Sequence, residues 1–264
     1  MPTEDAISQS REAALRTIEL DSRLAQAHSS LGLVNCVFDW KWAEGEARFR
    51  HAIELQPGSA KNYQFFPFLC YLPQRRYEEA VALVQHGLSL DPYNASLNAI
   101  GTYVYAIAGR YEDAMRQHAF ALEIGPEVAT VWATGGLAYE LQNQSTKAIQ
   151  AYRRACELSN DAPGSLSNLG HALGHSGKLR ESQKILNRLV SLRNLMAVDI
   201  AKVHIGLGDE QEALRWLEIA YETRDIHLIT VPMDPRFSRL KHQRRFRRLV
   251  EGMGLTIEPS LDST

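Results

Sequence analysis

His171 and His175 stand four residues apart in a helical stretch, so both imidazoles share one face and could fill two positions around a zinc ion. A zinc site needs a third and a fourth ligand, and no nearby Cys, Asp or Glu has the spacing to provide one, Cys156 belonging to the preceding helix. The pair therefore reads as solvated histidines, and no metal is expected. Trp40 and Trp42 could hold a cation against their π faces, but their alternation across a turn fits side chains that plug a gap between packed helices. Gly135-Gly136 falls in the middle of a helical pattern, where small residues serve packing. Neither a Gly-x-Gly-x-x-Gly loop, a Gly-Lys-Ser/Thr loop nor a nucleophile elbow occurs in the chain. No catalytic residue, cofactor or small-molecule substrate is indicated, and the chain reads as a non-enzyme.

The elements carrying these residues recur on a fixed period. Tyr71, Tyr105 and Tyr139 lie 34 residues apart, as do Ala80, Ala114 and Ala148, and as do Gly87, Ala121 and Ala155. A helix–turn–helix unit of that length, with small and aromatic residues at set places, is the tetratricopeptide pattern. The expected fold is all-α: a right-handed superhelix (α-solenoid) of about six such units with a C-terminal capping helix. Unit boundaries fall at about 24–57, 61–92, 95–126, 129–160, 163–194 and 195–225. Residues 1–22 read as helix B of a unit whose helix A is missing, 226–256 as a cap and 257–264 as a flexible tail. The first unit carries one extra residue in its turn, and the fifth-to-sixth step shortens to 31 residues around Arg193–Met196. Helix stops come from prolines in the early units and from Asn160, Asn194 and Asp225 in the last three, since Asn and Asp tolerate a left-handed backbone. Pro67 falls inside an expected helix, where it removes a hydrogen bond and clashes. A distorted segment is expected between Lys61 and Phe68, most simply a late helix start with Pro67 in its first turn. His204 takes an aromatic packing position equivalent to Tyr139.

Bulk composition adds boundaries. The chain has 264 residues, is 45% hydrophobic and carries a formal net charge of −2. Seven Lys/Arg between Asp234 and Glu251 are matched by no acid; without them the balance would be −2 − 7 = −9, so an acidic body bears a basic tip. Arg244, Arg245, Arg247 and Arg248 lie on a short amphipathic helix expected over 243–252. That face could touch phosphates, but with no aromatic interleaved for base stacking it reads as solvated, and nucleic acid is not an expected partner. The three cysteines, Cys36, Cys70 and Cys156, lack metal spacing and read as buried thiols in a reducing compartment. With no secretory signal and no membrane-length apolar run, the expected location is cytoplasmic.

Asp39-Trp40-Lys41-Trp42, Ala213-Leu214-Arg215-Trp216, Asp234-Pro235-Arg236-Phe237 and Phe246-Arg247-Arg248-Leu249 together resemble the C-terminal repeat region of a group of bacterial signalling proteins. Those proteins carry a winged-helix DNA-binding domain or a class III adenylate cyclase domain at the N-terminus. Lys41 stands where that group usually has Asp, and His242-Gln243 where it usually has Asp-Pro. The resemblance implies the partner-binding or regulatory region of a bacterial signalling or transcription protein. The alternative it implies is the regulatory fragment of a nucleotide cyclase whose catalytic domain is absent from these residues. The half-unit at the start suggests a longer parent.

In stacked units of this kind the first helix of each pair lines the concave face. The groove should thus be built from Asn62, Phe65, Leu69, Leu72, Tyr103, Leu137, Glu140, His171, His175 and Lys202. It is apolar and aromatic in its first half and polar to basic in its second. The Lys/Asn/Arg set that clamps a C-terminal carboxylate in chaperone-binding relatives is absent. An exposed apolar stripe of this size marks an interaction site, and a helix or extended peptide is the expected occupant. The other possibility is that the final segment, or a neighbouring domain, fills the groove.

Overall fold

The computed structural model describes residues 4–192 and 196–257. Thirteen α-helices run through them: α1 (Glu4–Leu20), α2 (Ala25–Val34), α3 (Trp42–Leu55), α4 (Tyr77–Leu90), α5 (Ala95–Ile107), α6 (Tyr111–Ile124) and α7 (Ala129–Leu141). They continue with α8 (Ser145–Leu158), α9 (Pro163–His175), α10 (Leu179–Val190), α11 (Ala197–Leu207), α12 (Glu210–Glu222) and α13 (Arg244–Gly252). Among the described residues there is no strand.

One backbone device repeats along the chain. A residue with left-handed φ closes the first helix of each pair at Trp40, Arg75, Gly109, Asn143, Gly177 and Gly208. The amide after it reaches five residues back to a helix carbonyl, as in Arg76 to Tyr71, Arg110 to Tyr105, Gln144 to Tyr139, Lys178 to Leu173 and Asp209 to His204. This is the carbonyl-satisfying helix stop that favours a left-handed residue. In the first pair the same bond runs from Lys41 N to Asn35 O, a span of six residues, and Asn35–Asp39 winds as a π-helix. The extra residue beside Trp40 is thus absorbed by widening the last helical turn. The short step later in the chain shows as 31 residues between Gly177 and Gly208; the connection itself, 193–195 with Asn194, lies outside the described residues.

Pro67 distorts its neighbourhood as its chemistry requires. Ala60–Tyr63 forms a 3-10 turn, and Pro67 opens a π-helical segment, Pro67–Tyr71, in place of an α-helix. At the later helix stops the backbone differs from the expectation in one place. Asn160 and Asp161 both adopt left-handed φ, but after α12 it is Arg224, not Asp225, that does so. Asp225 is buried instead, its carboxylate accepting from the amides of Val198 and His227 at 3.1 and 2.9 Å.

Small residues set how closely the helices approach. Ala80, Ala114, Ala148, Ala121 and Ala155 are fully buried. A Cβ on Gly136 would stand 2.5 Å from the Tyr152 ring, and one on Gly135 would fall inside the His118 imidazole. First helices of successive pairs touch one another (α5 with α7, α7 with α9, α9 with α11), while the second helices α6, α8 and α10 pack against the first helix of the next pair. The first helices therefore form the inner wall. His204 is half-buried, with Nδ1 3.7 Å from Asp209.

Two outcomes follow from this packing. Gly136→Ala should destabilise the protein by about 1–3 kcal/mol through overpacking, whereas Gly164→Ala, where a Cβ meets nothing within 4 Å, should leave a urea unfolding midpoint nearly unchanged. His118 is 1% exposed, and burial pushes its pKa down to about 4. The unfolded ring, near 6.5, binds its proton first as pH falls, so stability is full above about 6.5 and drops by up to about 3 kcal/mol by pH 4. Urea unfolding across that range should show the loss, and His118→Gln should flatten this part of the curve.

Candidate binding groove and its occupant

The inner wall is occupied by the chain itself. After α12 the segment 225–257 turns back through two short 3-10 stretches, Leu228–Thr230 and Pro235–Leu240, into α13. Its Val231, Met233, Phe237, Leu240, Phe246, Val250 and Met253 are buried in one apolar cluster with Leu69, Leu72, Leu137 and the partly buried Tyr103. The sequence predicted an exposed apolar stripe here. The structure corrects that: the apolar floor of the groove is covered, because the cap carries the apolar side chains that match it.

Asp234-Pro235-Arg236 makes the most specific contact. Pro235 occupies the first turn of its 3-10 segment, and Asp234 Oδ1 accepts from the Arg236 amide at 3.0 Å. The Asp234 carboxylate then takes the Arg236 guanidinium sideways, with Nη2 to Oδ2 at 2.6 Å and Nε to Oδ1 at 2.9 Å. Arg236 Nη1 reaches Asn168 Oδ1 at 3.0 Å and stands 3.6 Å from Glu140 Oε2. Glu140 is also held by the Tyr152 hydroxyl at 2.9 Å and by His171 Nδ1 at 2.7 Å. Burial alone would raise the Glu140 pKa, but His171, Arg236 and Tyr152 outweigh it and hold the carboxyl below its usual range. Asp234 behaves likewise, burial being outweighed by Arg236 and Lys202.

Beside this cluster the Lys202 ammonium lies within 3.2 Å of Ser167 Oγ, 3.1 Å of Asn168 Oδ1 and 3.5 Å of Asp199 Oδ1. Burial lowers its pKa against the pull of Asp199. The polar half of the groove, expected to be solvated, is thus an internal ion network. Of the two histidines, His171 is buried and only His175 is exposed, the rings stacking at 5.9 Å.

The remaining expected site residues divide. Leu69, Leu72, Tyr103, Leu137, Glu140, His171 and Lys202 are brought together against the cap or its ion network, with His175 at the edge. Asn62 is not part of that contact; its amide ties off the end of α3 by donating to the carbonyls of Ala52 and Gln56 at 3.0 and 2.9 Å. Phe65 stays 44% exposed. Of the basic tip, Arg245 forms a two-bond pair with Glu218, both at 2.7 Å, and Arg247 Nε donates to Lys241 O at 2.9 Å. Arg244 and Arg248 are exposed. Sequence reasoning missed Asn168, Tyr152, Asp234 and Arg236 as groove residues. The Asp-Pro pair that opens a helical turn was the signal available for the last two.

The cap also ties the last helix to the first pair. Trp42 Nε1 donates to Met253 O at 2.7 Å, and Gly252 lies so close to Tyr221 that a Cβ there would sit 2.5 Å from the hydroxyl. Trp40 packs on Tyr221 with the rings tilted and 4.9 Å apart, and the Arg224 guanidinium lies over the Trp40 ring at 3.6 Å. Both tryptophans are consumed by this closure.

The TPR repeat family matches residues 136–177. No curated protein matches the chain in sequence. Among solved structures, the human IFIT1 dimer with m7Gppp-AAAA is similar at 14% identity and TM-score 0.68, covering 92% of this chain and 60% of that one. The APC/C hetero-tetramer Cut9-Hcn1 follows at 13% identity and TM-score 0.62, covering 88% of this chain and 46% of that one. PilW, a type IV pilus biogenesis factor, matches at 14% identity and TM-score 0.58, covering 74% of this chain and 91% of that one. The fold is therefore an all-helical solenoid of the tetratricopeptide type, and repeats of this type typically mediate protein interactions. Among the described residues no helix is long and apolar enough to cross a membrane.

The ion network gives a direct test. Arg236→Met leaves Asp234 buried without its main counter-charge and takes one of its charged neighbours from Glu140, which should cost about 3–5 kcal/mol. The loss should appear as a lower urea midpoint together with easier proteolysis within 225–257.

Proposed function

We propose that this chain is a non-enzymatic, cytoplasmic protein-interaction scaffold, the partner-binding region of a bacterial signalling or transcription protein. In this reading its inner groove receives a helix or extended segment, with apolar anchors on Leu69, Leu72, Tyr103 and Leu137. The observation that carries the reading is the cap. A peptide segment lies in the groove with its apolar side chains on the apolar floor, and its single buried guanidinium meets the Glu140–Asn168 pair. A surface that selects one such segment within its own chain has the chemistry to select another. A partner must then compete with 225–257, so its apparent affinity falls by the fraction of time the cap is released.

A labelled peptide spanning residues 230–256 tests the reading by fluorescence anisotropy. The wild-type chain should exclude it, whereas a chain with Arg236→Ala and Phe237→Ala, whose own cap is loosened, should bind it. Adding Leu69→Asp or Tyr103→Asp to the loosened chain should abolish that binding. Failure of the loosened chain to bind, or binding indifferent to both aspartates, would discard the groove as the partner site.

A further inference from the structure

The polar contact between cap and groove runs through Asp234-Pro235-Arg236-Phe237, and the order of these residues matches the wall they face. Phe237 is buried in the apolar cluster that also holds Leu69 and Leu137. On the groove side stand the largely buried side chains of Glu140 from α7, 8% exposed, and Lys202 from α11, 12% exposed. Asn168 Oδ1 joins the two sides, accepting from Arg236 Nη1 at 3.0 Å and from Lys202 Nζ at 3.1 Å. Two cations therefore share one oxygen, and the Asp234 carboxylate supplies a negative charge to both. Burial would raise the Asp234 pKa, but Arg236 and then Lys202 hold it down.

The segment also organises its own arginine. Asp234 Oδ1 accepts from the Arg236 amide and from Nε at 3.0 and 2.9 Å, and Oδ2 accepts from Nη2 at 2.6 Å. With one edge of the guanidinium held in this way, Nη1 is left to reach Asn168 and to stand 3.6 Å from Glu140 Oε2. A lysine has no second edge to offer. The apolar floor by itself would accept many amphipathic segments. The polar wall discriminates among them, because a segment without the acid–arginine pair covers Glu140 and Lys202 and returns no charge to either.

We propose that the groove's partners are protein segments with an acidic residue, one intervening residue, an arginine and then an aromatic residue, docked in the register of 234–237. The proposal rests on the groove reading above and names the kind of partner that reading requires. The partner's arginine enters between Glu140 and Asn168, its acid lies by Lys202, and its aromatic ring takes the place of Phe237 on the floor. Because the acid also fixes the arginine side chain, such a segment arrives partly ordered and loses less freedom on docking.

Variants of the labelled 230–256 peptide, titrated by anisotropy into the full chain carrying Arg236→Ala and Phe237→Ala, test this without altering the groove. The parent peptide should bind. A peptide with Asp234→Arg and Arg236→Asp keeps the composition, net charge and apolar residues but sets like charges against Lys202 and Glu140. It should bind roughly thirtyfold more weakly or worse, as should the Arg236→Ala peptide. The Arg236→Lys peptide should lose about tenfold. Adding Glu140→Gln to the chain should shrink the loss caused by Arg236→Ala in the peptide by about threefold or more. Binding of the exchanged or the Arg236→Ala peptide as tight as the parent's overturns the signature and leaves the groove reading in place. An Arg236→Ala loss unchanged by Glu140→Gln overturns the placement of the arginine. Failure of the parent peptide to bind discards the groove reading, and this proposal with it.

Discussion

A guanidinium removed from water must find its counter-charges nearby, and the site of this protein is arranged around that demand. Arg236 is buried inside the inner wall, where Asp234 from its own segment and Glu140 from α7 neutralise it. Glu140 in turn is positioned by Tyr152 on α8 and His171 on α9. One cationic side chain thus couples the cap to three successive helices. A buried ion cluster adds little net stability relative to apolar packing of the same volume. Its strength is geometric: a segment shifted along the groove by a residue would leave several charges unpaired at once. Apolar packing holds the cap against the groove, and the ion cluster sets its register.

Much of the scaffold was legible in the sequence because it depends on local rules that repeat. A small residue every 34 positions, a helix stop and an aromatic filler each act within one or two units, so Ala80, Ala114 and Ala148 reveal one another. Pro67 was legible for the same reason, since its effect stays within the helix it interrupts, between Ala60 and Tyr71. The occupied groove was not legible in the same way. That Leu69 and Leu137 face inward follows from their repeat position. Whether water, a partner or the chain's own end covers them depends on contacts between residues far apart in sequence, such as Glu140 with Arg236, 236 − 140 = 96 positions on, and Trp42 with Met253, 211 positions on. The buried state of His171 and Lys202 was missed because a period identifies a face but not what lies on it.

The comparisons agree with this division. Proteins as different as human IFIT1 and Cut9-Hcn1 share the solenoid at 14% and 13% identity. What these chains share with this one is the helical architecture, TM-scores of 0.68 and 0.62 standing beside that low identity. The groove chemistry, held by individual side chains from separate units, is free to differ in each.

The bond from Trp42 to the carbonyl of Met253 has an architectural consequence. Open solenoids grow or shrink by whole units, because each unit touches only its neighbours. Here the first pair also grips the segment beyond the last, through Trp40, Trp42, Tyr221 and Arg224. Inserting or deleting one unit would carry the two ends out of reach and uncover both tryptophans together. Closure therefore acts as a counting device, confining the array to the number of units that lets its ends meet.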